Sequence, residues 1–446
     1  MKENRQDLTT GSIWGKMLFF SIPLVLTNLL QVLFNMADIA VIGQFAGSLS
    51  LGAVGSTTTL VTLFTGILIG MAGGINVLVA RFFGAKDKRS TVQTIHTALL
   101  VSLAAGLIVL AFGMIFSKWI LEVMNTKEEL LNGAVLYIRI YFLGMPALAL
   151  YNFGNAVCSA FGDTKKPLYY LAAAGVVNVV LNLFFVIVCK MGVAGVAAAS
   201  IISQYISAFL ILRALAQMGG DYALRLSELK FDKRMAEYII QIGLPAGLQN
   251  GIFQLANLFI QAGVNTFDAT MVAGNSAAAN ADALLYDSMA AFYTACGSFM
   301  GQNYGAGKRD RVRNSYLISL AYSFGIGLIG GISLVIFGKQ FLGLFTSDPA
   351  VVEAGMKRLT IMGYCYGFSA FMDSAIAASR ALGKSIVPTI IVILGSCVFR
   401  MVWVNTVFAY FKTIPSLYLL YIFSWGITAF VEIIYFVHVY KNTKIG

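Results

Sequence analysis

Apolar runs of about 20 residues recur from one end of this 446-residue chain to the other, each long enough to cross a hydrocarbon core of about 30 Å. In lipid the backbone must satisfy its own polar groups, so such runs are helices. Only 11% of the residues are charged, where a soluble chain carries about 25%, and the mean hydropathy is +0.79. An all-α polytopic membrane protein is expected, with twelve spans at about 16–44, 51–80, 93–116, 131–157, 167–189, 193–215, 238–266, 272–300, 314–338, 355–379, 387–409 and 415–440. The first run is too long for a cleaved signal peptide, and no small-residue cleavage site follows it. It is expected to stay as a span.

The net charge of +11 sorts by loop. Arg81, Lys86, Lys88 and Arg89 share one side with Lys165 and Lys166, with Lys308, Arg309, Arg311 and Arg313, and with Arg380 and Lys384. Alternate loops carry only scattered cations such as Lys118, Lys190, Lys339 and Lys412. Basic loops stay inside, which places both termini in the cytoplasm and the chain in the cell (cytoplasmic) membrane. No basic patch interleaved with aromatics suggests a nucleic-acid partner. Five cysteines without CxxC spacing give neither a disulfide framework nor a zinc site. With only His96 and His438, imidazole-based metal or triad chemistry is excluded, and no cofactor or enzyme activity is expected. The bilayer is the expected partner, and the chain is expected as a monomer.

The chain is also written twice. "SIPLVLTNLLQVLFN" (21–35) aligns with "GLPAGLQNGIFQLAN" (243–257), pairing Pro23 with Pro245, Asn28 with Asn250 and Asn35 with Asn257. "FFGAKDKR" (82–89) aligns with "NYGAGKRD" (303–310), and "CSAFGDTKKP" (158–167) with "SRALGKSIVP" (379–388). The offset holds at 221–222 residues. Six spans per repeat is an even number, so both repeats enter the membrane from the same side. The expected organisation is a six-helix lobe over 1–215, a cytoplasmic connection over 216–236 and a second six-helix lobe over 237–446. Duplicated lobes that rock around a central site are a transporter architecture.

"QVLFNMADIAVIG" (31–43) sets a carboxylate in the first span. Such a group costs about 2.5–3.5 kcal/mol at mid-helix on insertion scales. Asn28, Gln31, Asn35 and Asp38 share one helical face, as do Asn250, Gln254, Asn257 and Gln261 in the seventh span. Each stripe must face protein or water. Pro23 and Pro245 remove a helix hydrogen bond near the start of each stripe and favour a bend. The position matching Asp38 is Ile260, so only the first repeat carries the charge. Asp38 lies about 10 Å below the outer end of its span. Asn178 and Asn182, at i and i+4 of the fifth span, and Ser200 of the sixth lie at similar depth. This oxygen-rich group suits a hard cation such as sodium, or a proton on the carboxylate alone. Its simplest alternative role is to lock the lobe by hydrogen bonding.

The second repeat holds Asp282 and Asp287 (eighth span), Asp373 (tenth), Arg400 (eleventh) and Glu432 (twelfth) at membrane depth. Arg400 needs a carboxylate or a wet cavity. Asp282 and Asp287 lie closer to it in estimated depth than Asp373, so a structural ion pair is expected ahead of a substrate contact. Glu432 sits near the cytoplasmic end, within reach of headgroups.

These stretches, together with "MGVAGVAAASIISQ" and "GQNYGAGKRDR", resemble the MATE (multidrug and toxic compound extrusion) transporters over nearly the whole chain. The resemblance implies two six-helix lobes in a V and cation-coupled efflux of small organic compounds, often cationic or amphipathic. It implies further that Asp38 is the first-span coupling acid, that Pro23 is the bend-forming proline, and that Asn178 and Ser200 are polar members of the first-lobe ion site. Asp373 resembles the tenth-span acid that binds cations in one branch. Where that family often has Asn-x-x-x-Asp in the fifth span, this chain has Asn182, one fixed negative charge fewer. The acid some relatives carry in the seventh span is absent, with Gln254 or Asn257 in that region. The fifth-span departure weakens tight sodium binding and leaves protonation of Asp38 as the simpler coupling step. Two rivals remain at this stage. One is a lipid-linked oligosaccharide flippase, whose cavity would be strongly cationic where Arg400 stands almost alone. The other is an ion channel, which would want a symmetric ring of charges.

Overall fold

The computed structural model describes residues 7–219 and 222–445, so positions 220 and 221 of the expected connection 216–236 lie outside the described residues. Twelve helical spans follow one another: α1 Ile13–Phe45, α2 Gly47–Gly84, α3 Lys88–Val123, α4 Glu128–Phe142 with Met145–Ala160, α5 Lys165–Val188 and α6 Gly192–Ala216. After them come α7 Lys233–Val264, α8 Ala269–Gly305, α9 Arg309–Leu342, α10 Pro349–Gly363 with Tyr366–Ala381, α11 Ile386–Phe411 and α12 Ile414–Asn442. No strand occurs among the described residues. Eight of these helices are long and apolar enough to cross a membrane, and α4 makes a ninth if its two pieces, bent by 45°, form one span. Helices α7, α8 and α10 fall short of that measure because they interleave Asn, Gln, Asp and Arg with apolar residues.

Local chemistry sets the ends. Asp87, Asp268 and Asp348 each accept a backbone N–H from the first turn of α3, α8 and α10. Hydrogen bonds from Ser90, side chain and backbone, hold the Asp87 carboxyl below its usual range. Thr413 and Ser416 form a reciprocal capping box on α12.

The duplication is visible in these devices. Gly162 and Gly383 follow the ends of α4 and α10 with φ of +85° and +83°. In each, the next residue's N–H returns to the last turn, Asp163 to Cys158 at 2.9 Å and Lys384 to Ser379 at 3.0 Å. A β-carbon at either glycine is opposed by about 1–2 kcal/mol of left-handed strain. Both fourth helices of the repeats are broken, at 143–144 and 364–365. Helices α5 and α11 both carry a π turn near their ends, Phe184–Val188 and Val404–Phe408. Helix α11 has a second π turn, Ile393–Val398, with no counterpart in α5. A π turn accommodates an extra residue. Accordingly the repeat offset is 221 between Pro167 and Pro388 but 222 between Lys190 and Lys412, which share φ of +54° and +50°.

By contacts the chain forms two compact units, one of Leu26–Gly251 and one of Leu8–Val25 with Ile252 onward. The division falls within α1 beside Pro23 and within α7 after Gly251. In the first unit α2 meets α7 backbone to backbone: a β-carbon on Gly74 would lie 2.7 Å from Gly243 N. Small residues at such crossings let helices approach closely where lipid offers no hydrophobic driving force. The second piece of α4 is buried along most of its length, with Tyr151, Phe153 and Val157 in the core of this unit. In the second unit Met289, Leu417 and Tyr418 belong to a buried apolar cluster.

Candidate functional site

In the first unit α5 and α6 bring two polar side chains onto a carboxylate carried by α1. Asp38 Oδ1 accepts from the Asn182 amide, and Oδ2 accepts from Ser200 Oγ at 3.1 Å. Asn182 donates a second bond to Asn178 Oδ1 at 3.2 Å. Asn178, Asn182 and Ser200 are buried, and Asp38 is half-buried. The i, i+4 spacing aligns the two asparagines, and the π turn of α5 begins two residues beyond Asn182.

Asp38 opens onto a cavity of about 250 Å³ within this unit. Gln31 and Asn35 line it, so the α1 stripe faces polar space and not lipid, while Asn28, at the start of the stripe, is not among the lining residues. The aromatic walls are Phe34, Tyr137, Tyr141 and Tyr151, with hydroxyls from Thr57, Thr58, Ser203 and Ser207. Pro23 sits inside α1, fifteen residues before Asp38, and Pro245 inside α7.

The donor set bears on which ion fits. A sodium ion wants oxygens. Asn182 turns its N–H groups toward both the carboxylate and Asn178 Oδ1, while its own buried Oδ1 has no hydrogen-bond partner among the described residues. Sodium would require that amide to turn over, whereas a proton needs only a carboxylate oxygen. Among the described residues no group of three His, Cys, Asp or Glu could hold a metal ion.

The second unit is arranged differently. Ile260, opposite Asp38 in the repeat, is buried among apolar neighbours. Gln261 donates to Asn265 at 2.9 Å, whereas the side chains of Gln254 and Asn257 make no hydrogen bond with described residues. The expected Arg400 pairing with Asp282 does not form. Asp282 instead accepts from Arg358 and from the Tyr366 hydroxyl. Arg358 also donates to Asn275, which accepts from Tyr418 Oη at 2.7 Å. Asp287 is half-buried farther along α8 and does not pair with Arg400 either.

Arg400 is buried beside two rings, 4.7 Å from the Tyr421 centroid and 5.4 Å from that of Phe253, and its Nε donates to Ser424 Oγ at 3.2 Å. The carboxylate acting on it through space is Asp373, itself buried. Glu432 does not reach toward headgroups. It is fully enclosed, and Arg380 is the opposite charge that acts on it through space.

Arg358 is the residue that sequence reasoning passed over. In "VVEAGMKRLTIMG" it reads as part of a surface charge run, yet it falls on the same helical face as the buried Ala354, Gly355, Leu359 and Met362, and that spacing is the signal that would have found it.

Comparison with known proteins adds an independent line. The MatE family model matches residues 23–184 and again 245–406, one match per repeat. The chain is 29% identical over 368 residues to the probable multidrug resistance protein YpnP of Bacillus subtilis, with 81% of each covered. It is 25% identical over 371 residues to an FAD transporter of Shewanella oneidensis, covering 82% of this chain and 81% of that one. A solved outward-facing multidrug resistance transporter of the MOP superfamily shares the fold with a TM-score of 0.91 at 21% identity, over 99% of this chain and 100% of the other.

Proposed function

The chain belongs to the MatE family of transporters, and from that premise we propose that it exports small organic compounds by cation antiport, with Asp38 as the coupling group and a proton as the ion. Both termini are then cytoplasmic, in the cell membrane, and one copy suffices. The lobes that alternate are the two repeats, 1–215 and 237–446. The relatives' names include both multidrug resistance proteins and an FAD transporter, so the cargo is read from this chain's own residues.

The observation that carries this reading is a carboxylate held by Asn182 and Ser200 at the edge of a polar cavity, in one repeat and not the other. An acid at membrane depth that faces a cavity is a functional group by default. With the cavity open to the outside, Asp38 takes a proton and loses its charge. The donated bonds of Asn182 and Ser200 weaken, because each is stronger to a carboxylate than to a neutral acid. Helix α1 is then free to bend at Pro23, narrowing the cavity and expelling cargo, and the proton leaves on the cytoplasmic side. Sodium at the same oxygens would act alike, but it is disfavoured by the Asn182 amide.

The driving force is sufficient. One inward charge gains about 2.3 kcal/mol per 100 mV. Each pH unit adds about 1.4 kcal/mol. Together they sustain an outward gradient of a few hundred-fold for a neutral cargo. A monovalent cationic cargo exchanged one for one loses the voltage part. A strongly cationic flippase cavity is not supported, since Arg358 is neutralised by Asp282.

The test is accumulation of a fluorescent cation such as ethidium in cells making the protein. Cells with the wild type should retain less dye, and Asp38→Asn should abolish the difference at equal membrane abundance. Undiminished efflux by that variant would overturn the coupling role.

A further inference from the structure

Arg400 is a buried cation whose needs the protein does not meet. Among the described residues, only the Nε of its five N–H donors has a hydrogen-bond partner, Ser424. No carboxylate stands within ion-pair distance among the described residues, and the eighth-span acid that might have served, Asp282, is held by Arg358 and Tyr366. Neither Nη atom is sealed in, although the residue as a whole is only 2% exposed. A guanidinium left in this condition at membrane depth is costly unless something external completes it.

The surroundings hold it ready for such a completion. Tyr421 and Phe253 lie against the group at 4.7 and 5.4 Å. Ser424 fixes Nε, so the two Nη edges form an oriented fork. A planar fork beside aromatic rings matches a carboxylate or another oxyanion carried on a flat ring system.

The duplication gives a second, independent reason. The extra π turn Ile393–Val398 moves the offset to 222 before residue 400, which sets Arg400 opposite Asn178. Asn178 is the residue of the first unit that bonds Asn182 beside Asp38. Where the first repeat has Asp38 with Asn178, the second has Ile260 with Arg400. The same two positions are thus biased toward a cation in one unit and toward an anion in the other.

Resting on the transport reading above, we infer that Arg400 binds an anionic oxygen group, a carboxylate or a comparable oxyanion, on aromatic amphipathic cargo. The transporter's range then includes zwitterions and organic anions in addition to cations.

Rhodamine B and its ethyl ester share one dye skeleton and differ in a free carboxylate. Binding of each to the purified full-length protein is read by fluorescence anisotropy. The wild type should bind rhodamine B at least tenfold more tightly than the ester. Arg400→Gln should erase that preference while changing ester affinity less than twofold. Arg400→Lys keeps the charge without the fork and should cut the preference at least threefold. It decides the matter if Arg400→Gln does not fold. A wild type without the preference, or a variant that keeps it in full, would overturn the assignment. These are equilibrium binding measurements made without any ion gradient, so a failure of the coupling role, which is read only in gradient-driven efflux, is distinguishable from a failure of this one.

Discussion

In the first repeat, α1 presents Asp38 to Asn182 and Ser200, beside Asn178. In the second, α7 presents Ile260 at the matching turn, and α11 supplies Arg400 where α5 has Asn178. The backbones share most of their devices, the extra π turn before Arg400 apart. Both fourth helices are broken, both are closed by a left-handed glycine, and both fifth helices carry a π turn near their ends. Duplication has kept the devices that shape a cavity and changed the charges that fill it. The first unit leaves its carboxylate on a polar cavity. The second neutralises Asp282 internally with Arg358 and leaves Arg400 without a direct ion pair among the described residues, with Asp373 acting on it only through space. On the two proposals made above, one framework supports two tasks, ion handling and cargo recognition.

Substitutions that exchange features between the repeats test this division. The largest effect on stability is expected from Asp282→Asn. Removing one partner of a buried pair costs about 3–5 kcal/mol. Thermal unfolding of the purified protein should fall well below wild type, whereas Asp38→Asn, which has no paired guanidinium, should unfold near the wild-type temperature. Equal losses would erase the distinction between a structural and a working acid.

Next comes Ile260→Asp, which gives the second repeat the charge of the first. Without counterparts of Asn182 and Ser200 the carboxylate meets apolar neighbours, at a cost of about 2.5–3.5 kcal/mol. Membrane yield should drop, and the substitution should not rescue efflux by Asp38→Asn. Rescue would show that the repeats are interchangeable.

Asn182→Asp sharpens the choice of ion. A second carboxylate beside Asp38 supplies the charge and the oxygens that sodium wants. In proteoliposomes this variant should respond to an imposed sodium gradient where the wild type does not. A variant as indifferent to sodium as the wild type would remove Asn182 from ion choice.

The smallest effects belong to the shared devices. Gly162→Ala and Gly383→Ala should each cost about 1–2 kcal/mol and by similar amounts, since both occupy the same left-handed turn. Unequal costs, read as unfolding temperatures, would show that the turns are not equivalent.

Much of this architecture was legible before any coordinates. Length and hydropathy locate nine of the helices, counting the bent α4 as one, because a membrane span must be long, apolar and helical, while the more polar α7, α8 and α10 are placed by their correspondence to α1, α2 and α4 in the repeat. The repeat followed from motifs at one offset. Contacts among Asp38, Asn178, Asn182 and Ser200 follow from i, i+4 spacing and depth, which helical geometry converts directly into position. Arg400 shows where such reasoning stops. Depth placed it level with Asp282, but pairing depends on how each helix is rotated about its axis, and that rotation gives Asp282 to Arg358. Glu432 is the same lesson, since its height along α12 suggested headgroups while its face turns it inward. The π turn that shifts the offset leaves no mark in composition.

The most direct test of Asp38 as the coupling acid uses purified protein in liposomes with one gradient imposed at a time. With the membrane potential clamped, a pH gradient should drive dye movement by the wild type, a sodium gradient of equal size should not, and Asp38→Asn should respond to neither. Gradient-driven transport by Asp38→Asn at the wild-type rate would contradict the central claim.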